Sequence, residues 1–206
     1  MAAHAHRSTA TSRRDPLGGT AGNEALTSAV AAVLTLLLAA EGITILDLGG
    51  LRGPHMVIGI LLIPPLLVKF ASTGYRFARY YSGARAYREK GPPLLALRLL
   101  APLLVVLTVA VFATGVALLL VGHSSGGLLL AHKATFIGWG ACFGVHFLAY
   151  LPRMARSLAL DWTARRRREI GGGGLRLGLV AGAIAGGVAL AFAAGSAIGH
   201  WQHFGG

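Results

Sequence analysis

Charge is what this chain has least of. Only 13% of its 206 residues are charged, whereas 54% are hydrophobic and the mean hydropathy is +0.64; a soluble domain carries roughly a quarter. So little charge cannot cover a folded surface in water, which excludes an ordinary soluble domain and leaves lipid as the solvent. Acidic residues are the scarcest of the charged ones, seven against nineteen basic, for a net charge of +12. Cysteine is nearly absent. The single Cys142, set in an apolar run, excludes a disulfide framework and reads as a small core side chain. Residues 1–24 lack the apolar centre of a secretory signal and read as a disordered cytoplasmic tail in which His4 and His6 are solvated. No nucleophile–base pair, phosphate loop or zinc-type cluster is recognisable, which argues against a stand-alone enzyme.

What the chain does have is long apolar runs. A helix needs about 20 mainly apolar residues to cross the hydrocarbon layer, and five stretches qualify. The first is Ala25 to Leu46, with Asn23 placed to cap it; the second is Pro54 to Gly74, with Pro54 at its first position and a kink at Pro64 and Pro65. The third runs from Leu95 to Val121, the fourth from Leu128 to Leu151 with Pro152 closing it, and the fifth from Leu177 to Trp201. Gly178, Gly182 and Gly186 recur every four residues on the fifth and predict a packing face.

The basic residues set the orientation. Seventeen of the nineteen fall in the tail, the second connection with Arg98 just beyond, and the fourth connection, leaving only Arg52 and Lys133 for the opposite side. Positive segments resist translocation, so the amino terminus is expected in the cytoplasm and the carboxyl terminus outside. The Tyr75 to Glu89 connection interleaves tyrosines with arginines, and Arg165 to Arg168 form a basic run. Beside membrane helices both read as contacts with anionic lipid headgroups rather than with nucleic acid.

Ligating groups inside apolar spans are functional candidates. His132 and His146 lie fourteen residues apart on the fourth span, within about 40° of one face and roughly 21 Å apart along the axis. That arrangement suits a helix holding haems at two depths, each iron needing a second axial ligand from a facing helix. His55 opens the second span at the same outer level as His132, with Gly59 one turn on to leave room for a porphyrin edge and Arg52 and Lys133 near enough to pair with propionates. His146 finds no histidine opposite. Lys69 has the right depth, but its long stem is expected to snorkel to the interface. Glu41 is expected to interact with Arg52 or a helix end, and His123, His200 and His203 to be solvated. One haem is therefore expected, on His55 and His132.

These three histidines and the helix order resemble the membrane cytochromes b that anchor periplasmic oxidoreductases, such as the gamma subunits of formate dehydrogenase. The chain is also similar to actinobacterial membrane proteins found alongside molybdopterin oxidoreductases. The resemblance covers about residues 25–153. It implies an outer haem b between His55 and His132, and an inner one between His146 and a histidine near the start of the first helix. This sequence has Asn23-Glu24-Ala25-Leu26-Thr27 there instead. The expected fold is thus an all-α integral membrane protein. Residues 25–153 form a four-helix cytochrome b-like bundle, 154–176 a basic cytoplasmic connection, and 177–206 a fifth helix with a short outer tail. The expected function is electron transfer between a membrane quinone and a redox partner at the outer face of the plasma membrane, for which the resemblance implies an extracytoplasmic molybdopterin oxidoreductase. The alternative is a haem-free scaffold or transporter component.

Overall fold

The computed structural model describes residues 17–91, 95–121, 126–161 and 170–203. His4, His6, His123 and the Arg165 to Arg168 run lie outside them. Among the described residues the chain is all-helical: α1 Gly19–Leu46, α2 Leu48–Leu61, α3 Ile63–Tyr81, α4 Arg85–Arg88, α5 Leu95–Val121, α6 Gly126–Asp161, α7 Gly173–Ala193 and α8 Gly195–His203. Five stretches, with α2 and α3 counted as one, are long and apolar enough to cross a membrane. Their outward surface agrees with that solvent, since Leu36, Leu120, Ile137 and Phe192 are each at least 70% exposed. This is a multi-pass membrane protein.

In lipid the backbone must bond within its own segment, which is why every span is a helix. The threonine hydroxyls follow the same rule by bonding back one turn: Thr35 to the Ala31 carbonyl at 2.8 Å, Thr108 to Leu104 at 2.6 Å and Thr135 to Ala131 at 2.8 Å. The small buried core gathers Leu26, Val30 and Leu34 of α1 around Leu62. α1 packs on α2, α3 and α6, while α5 and α6 form a close hairpin. α6 packs on α5 and α1 and makes little backbone contact with α2 or α3. One end of the molecule is basic. There Glu24 of α1 pairs with Lys90 and approaches Arg153 of α6 at 4.0 Å.

Several boundaries differ from the sequence expectation. Gly19 to Glu24 are already helical, so Asn23 lies inside α1 and its amide donates to the Ser72 carbonyl at 3.1 Å instead of capping. α6 continues through Pro152 to Asp161. The second span begins at Leu48, with Asp47 capping the Gly50 amide at 3.1 Å, and Leu51 has non-helical φ/ψ. Pro54 therefore falls in the first turn after a break, where its missing N–H costs little. Where a kink was expected at Pro64 and Pro65, Leu62 between α2 and α3 keeps helical dihedrals, φ −67° and ψ −24°, and its N–H bonds the Ile58 carbonyl at 3.0 Å; both prolines sit in the first turn of α3.

The prolines bear on how α7 docks. Pro65 has no N–H to give the Leu61 carbonyl four residues earlier, and α7 comes up against this carbonyl at Gly187. A Cβ added at Gly187 would lie 2.6 Å from the Leu61 oxygen. The packing face of α7 is Arg176, Val180, Ala183 and Gly187. Gly178 and Gly182 instead face open space, and Gly186 makes only ordinary contact with Pro64 at 3.8 Å. Arg176, counted in the sequence as a cytoplasmic charge, is buried and donates to the carbonyls of Leu17 at 2.9 Å and Gly171 at 2.6 Å.

Candidate functional site

α2 begins where α1 ends, at the pole opposite the basic end, and this places His55 beside the last turns of α1. Its Nδ1 lies 2.9 Å from Glu41 Oε1 and 3.1 Å from Thr44 Oγ1. The Thr44 hydroxyl proton is already committed to the Glu41 carbonyl at 2.6 Å, and a carboxylate only accepts. Nδ1 must therefore be the donor, and in the neutral ring this puts the lone pair on Nε2. Glu41 is thus the partner of His55 and not of Arg52. The space beside Gly59 is used by the same carboxylate, since a Cβ there would meet Glu41 Oε1 at 3.6 Å.

His132 on α6 repeats the arrangement with different residues. Its Nδ1 is 3.0 Å from Thr114 Oγ1 of α5, and that hydroxyl donates back to the Ala110 carbonyl at 2.7 Å. The oxygen is then an acceptor, so His132 also carries its proton on Nδ1. Gly115 makes the fit; a Cβ there would stand 3.1 Å from His132 Cε1. Both imidazoles are anchored by Nδ1 to a flanking helix, α1 for one and α5 for the other. Their ring centroids are 6.5 Å apart and their planes 76° from parallel.

A metal-bound imidazole nitrogen sits about 2 Å from the metal, so two rings on opposite sides of one ion bring their centroids to roughly 6–6.5 Å. Hydrogen bonding of the second nitrogen is the usual means of orienting such ligands. A bare metal ion fits less well, because no group of three or more His, Cys, Asp or Glu among the described residues is placed to hold one. Haem supplies the equatorial ligands itself and asks for two axial donors.

The other expected site residues are not gathered here. Arg52 is half-buried, Lys133 is exposed, and neither makes an ion pair among the described residues. His146 lies far down α6 toward the basic end, its ring 4.7 Å from that of Tyr150 and its Nδ1 buried without a hydrogen-bond partner. Lys69 does not snorkel; it turns inward and donates to the Thr27 carbonyl of α1 at 3.0 Å. Thr44, Thr114 and Gly115 were missed in the sequence, where a Thr-Gly pair inside the third apolar run was the available signal. No protein-family model matches the chain, and no curated protein or solved structure matches it either.

Proposed function

We propose that the chain binds haem b between His55 and His132 and passes electrons between a membrane quinone and a redox partner at the outer face. The observation that carries this reading is the 6.5 Å pairing of two imidazoles whose Nδ1 atoms are both engaged elsewhere. With both axial positions filled by protein, iron is closed to substrate and suited to outer-sphere transfer. The haem supplies the redox chemistry; the protein positions it and keeps its surroundings dry. Glu41 and Thr44 hold one ring and Thr114 the other, while Arg52 and Lys133 are the cations nearest this level for the propionates. The charge asymmetry supports a plasma-membrane orientation with the basic end in the cytoplasm and the carboxyl terminus outside. Four helices form the haem bundle in this reading, with α7 as the fifth span, and a molybdopterin oxidoreductase is the proposed outer partner.

The test is the reduced-minus-oxidised spectrum of the detergent-purified protein. A low-spin haem b signal that is diminished by His55→Ala and by His132→Ala alike is expected. A colourless protein that elutes as a single folded species would replace this reading with a haem-free scaffold or transporter component.

A further inference from the structure

The basic end carries a group of side chains that electron transfer does not use. α3 runs on to Tyr81, and α5 begins at Leu95 beyond the short α4 turn. These two helices make little backbone contact with each other. Arg98, in the first turn of α5, nevertheless donates through Nη2 to the Tyr81 hydroxyl at 2.9 Å. Tyr81 rests on its own helix, its ring 4.5 Å from that of Phe77 and 5.2 Å from that of Tyr80. One polar contact thus links the second span to the third.

The charges around it are unbalanced. Glu24 is taken by Lys90, with Arg153 at 4.0 Å, and Glu89 by Arg85 at 2.8 Å. Arg79, Arg88 and Arg98 are exposed and make no ion pair among the described residues. On the membrane side of the Arg98–Tyr81 bond, Phe77, Leu99 and Leu103 are 65%, 68% and 49% exposed. A guanidinium has five N–H donors, and the Tyr81 oxygen accepts one of them, while the tyrosine keeps its own O–H to give. The remaining fork matches the oxygens of a phosphate. Because Tyr81 already tethers the arginine, little side-chain freedom is left to lose on binding. A nucleic acid would meet the cations but not the apolar side chains beneath them. A phosphate headgroup on acyl chains meets both.

We propose that this corner of α3 and α5 is a binding site for an anionic phospholipid. Arg98 and the Tyr81 hydroxyl hold its phosphate, and its acyl chains cover Phe77, Leu99 and Leu103. Composition led to the expectation of headgroup contact along the whole Tyr75 to Glu89 connection; the geometry centres it on Arg98, outside that segment. It also gives the lipid a role, fastening together two spans that barely touch. The site does not depend on haem.

Native mass spectrometry of the full chain in detergent measures the preference, with phosphatidylglycerol and phosphatidylcholine of identical acyl chains offered at equal concentration. The wild type should retain phosphatidylglycerol selectively. Arg98→Gln should weaken that binding about fivefold, the contribution of one cation beside an anionic headgroup. Tyr81→Phe keeps the ring and every charge but removes the tether and the second donor, and should weaken it too. Arg85→Gln, at a side chain 92% exposed and already paired with Glu89, should leave it unchanged. Equal retention of the two lipids by the wild type would overturn the proposal, as would a preference that survives Arg98→Gln. Equal losses in Arg98→Gln and Arg85→Gln would mean that net charge alone attracts the lipid, and would refute a defined site. Should Arg98→Gln fail to fold, Tyr81→Phe decides, since an unchanged preference there refutes the clamp.

Discussion

The docking of α7 on the Leu61 carbonyl can be tested by adding one methyl group at two places on the same helix. At Gly187 a Cβ would stand 2.6 Å from the Leu61 oxygen and 3.2 Å from its carbonyl carbon, both backbone atoms. Backbone cannot step aside as a flexible side chain would, so α7 must move away from α2. At Gly182 the same methyl group meets nothing within 4 Å. Both substitutions gain the helix propensity of alanine, about 1 kcal/mol, and this gain cancels when the two variants are compared. What remains is the overpacking term, about 1–3 kcal/mol. Gly187→Ala should therefore be less stable than Gly182→Ala by that amount in equilibrium unfolding from mixed micelles. Equal stabilities, or a more stable Gly187→Ala, would refute the close approach and with it the role given to Pro65 in exposing the carbonyl.

Three further outcomes are expected. Glu41→Gln keeps an acceptor for His55 Nδ1 but removes a charge near the iron, so haem should be retained while its midpoint potential rises; a unit charge ~6 Å away at an effective dielectric of ~20 gives about 3 kcal/mol, or roughly 120 mV for one electron. An unchanged potential with normal haem content would mean that the Glu41 carboxylate does not bear on the ligand. Gly115→Ala places a methyl group 3.1 Å from His132 Cε1 and should broaden or shift the low-spin spectrum, whereas Gly140→Ala, which meets nothing within 4 Å, should leave it unaltered. Reporter fusions after Gly83 should be active on the cytoplasmic side and fusions at the carboxyl terminus on the outer side, and the reverse pattern would invert the orientation.

The five spans could be read from the sequence because length and hydropathy are sums along the chain, insensitive to the rotation of any helix. The third was placed at Leu95 to Val121 and observed there. Ends were harder to place where a local signal competes with its surroundings. Pro152 lacks an N–H, yet α6 passes through it, so a lone proline did not end this helix. Asn23 has the chemistry of a cap, but Ser72 on α3 offers its amide a buried acceptor, and a partner 49 residues away cannot be seen from the flanking residues. The glycine face of α7 was misplaced by one position on the helix surface. Spacing alone finds a stripe of small residues, whereas the place where another backbone is exposed depends on Pro65, in a different helix.

The site divides along the same line. His55 and His132 could be paired in the sequence because matched depth follows from counting residues inward from the same end of two co-directional helices. Their supports could not, since each depends on which neighbour the far side of the ring meets. Glu41 had Arg52 as the obvious electrostatic partner, and the choice of His55 instead turns on the Asp47 cap and the break at Leu51, which bring the start of α2 back against the last turns of α1. The same reasoning explains Lys69. Snorkelling assumes a path along the helix to the interface, but α3 packs on α1 at this depth and brings the Thr27 carbonyl within reach of the amine. A lysine given a buried acceptor at 3.0 Å has no reason to extend toward water. His146, for which the sequence offers no histidine opposite, has a buried Nδ1 without a hydrogen-bond partner in the structure as well.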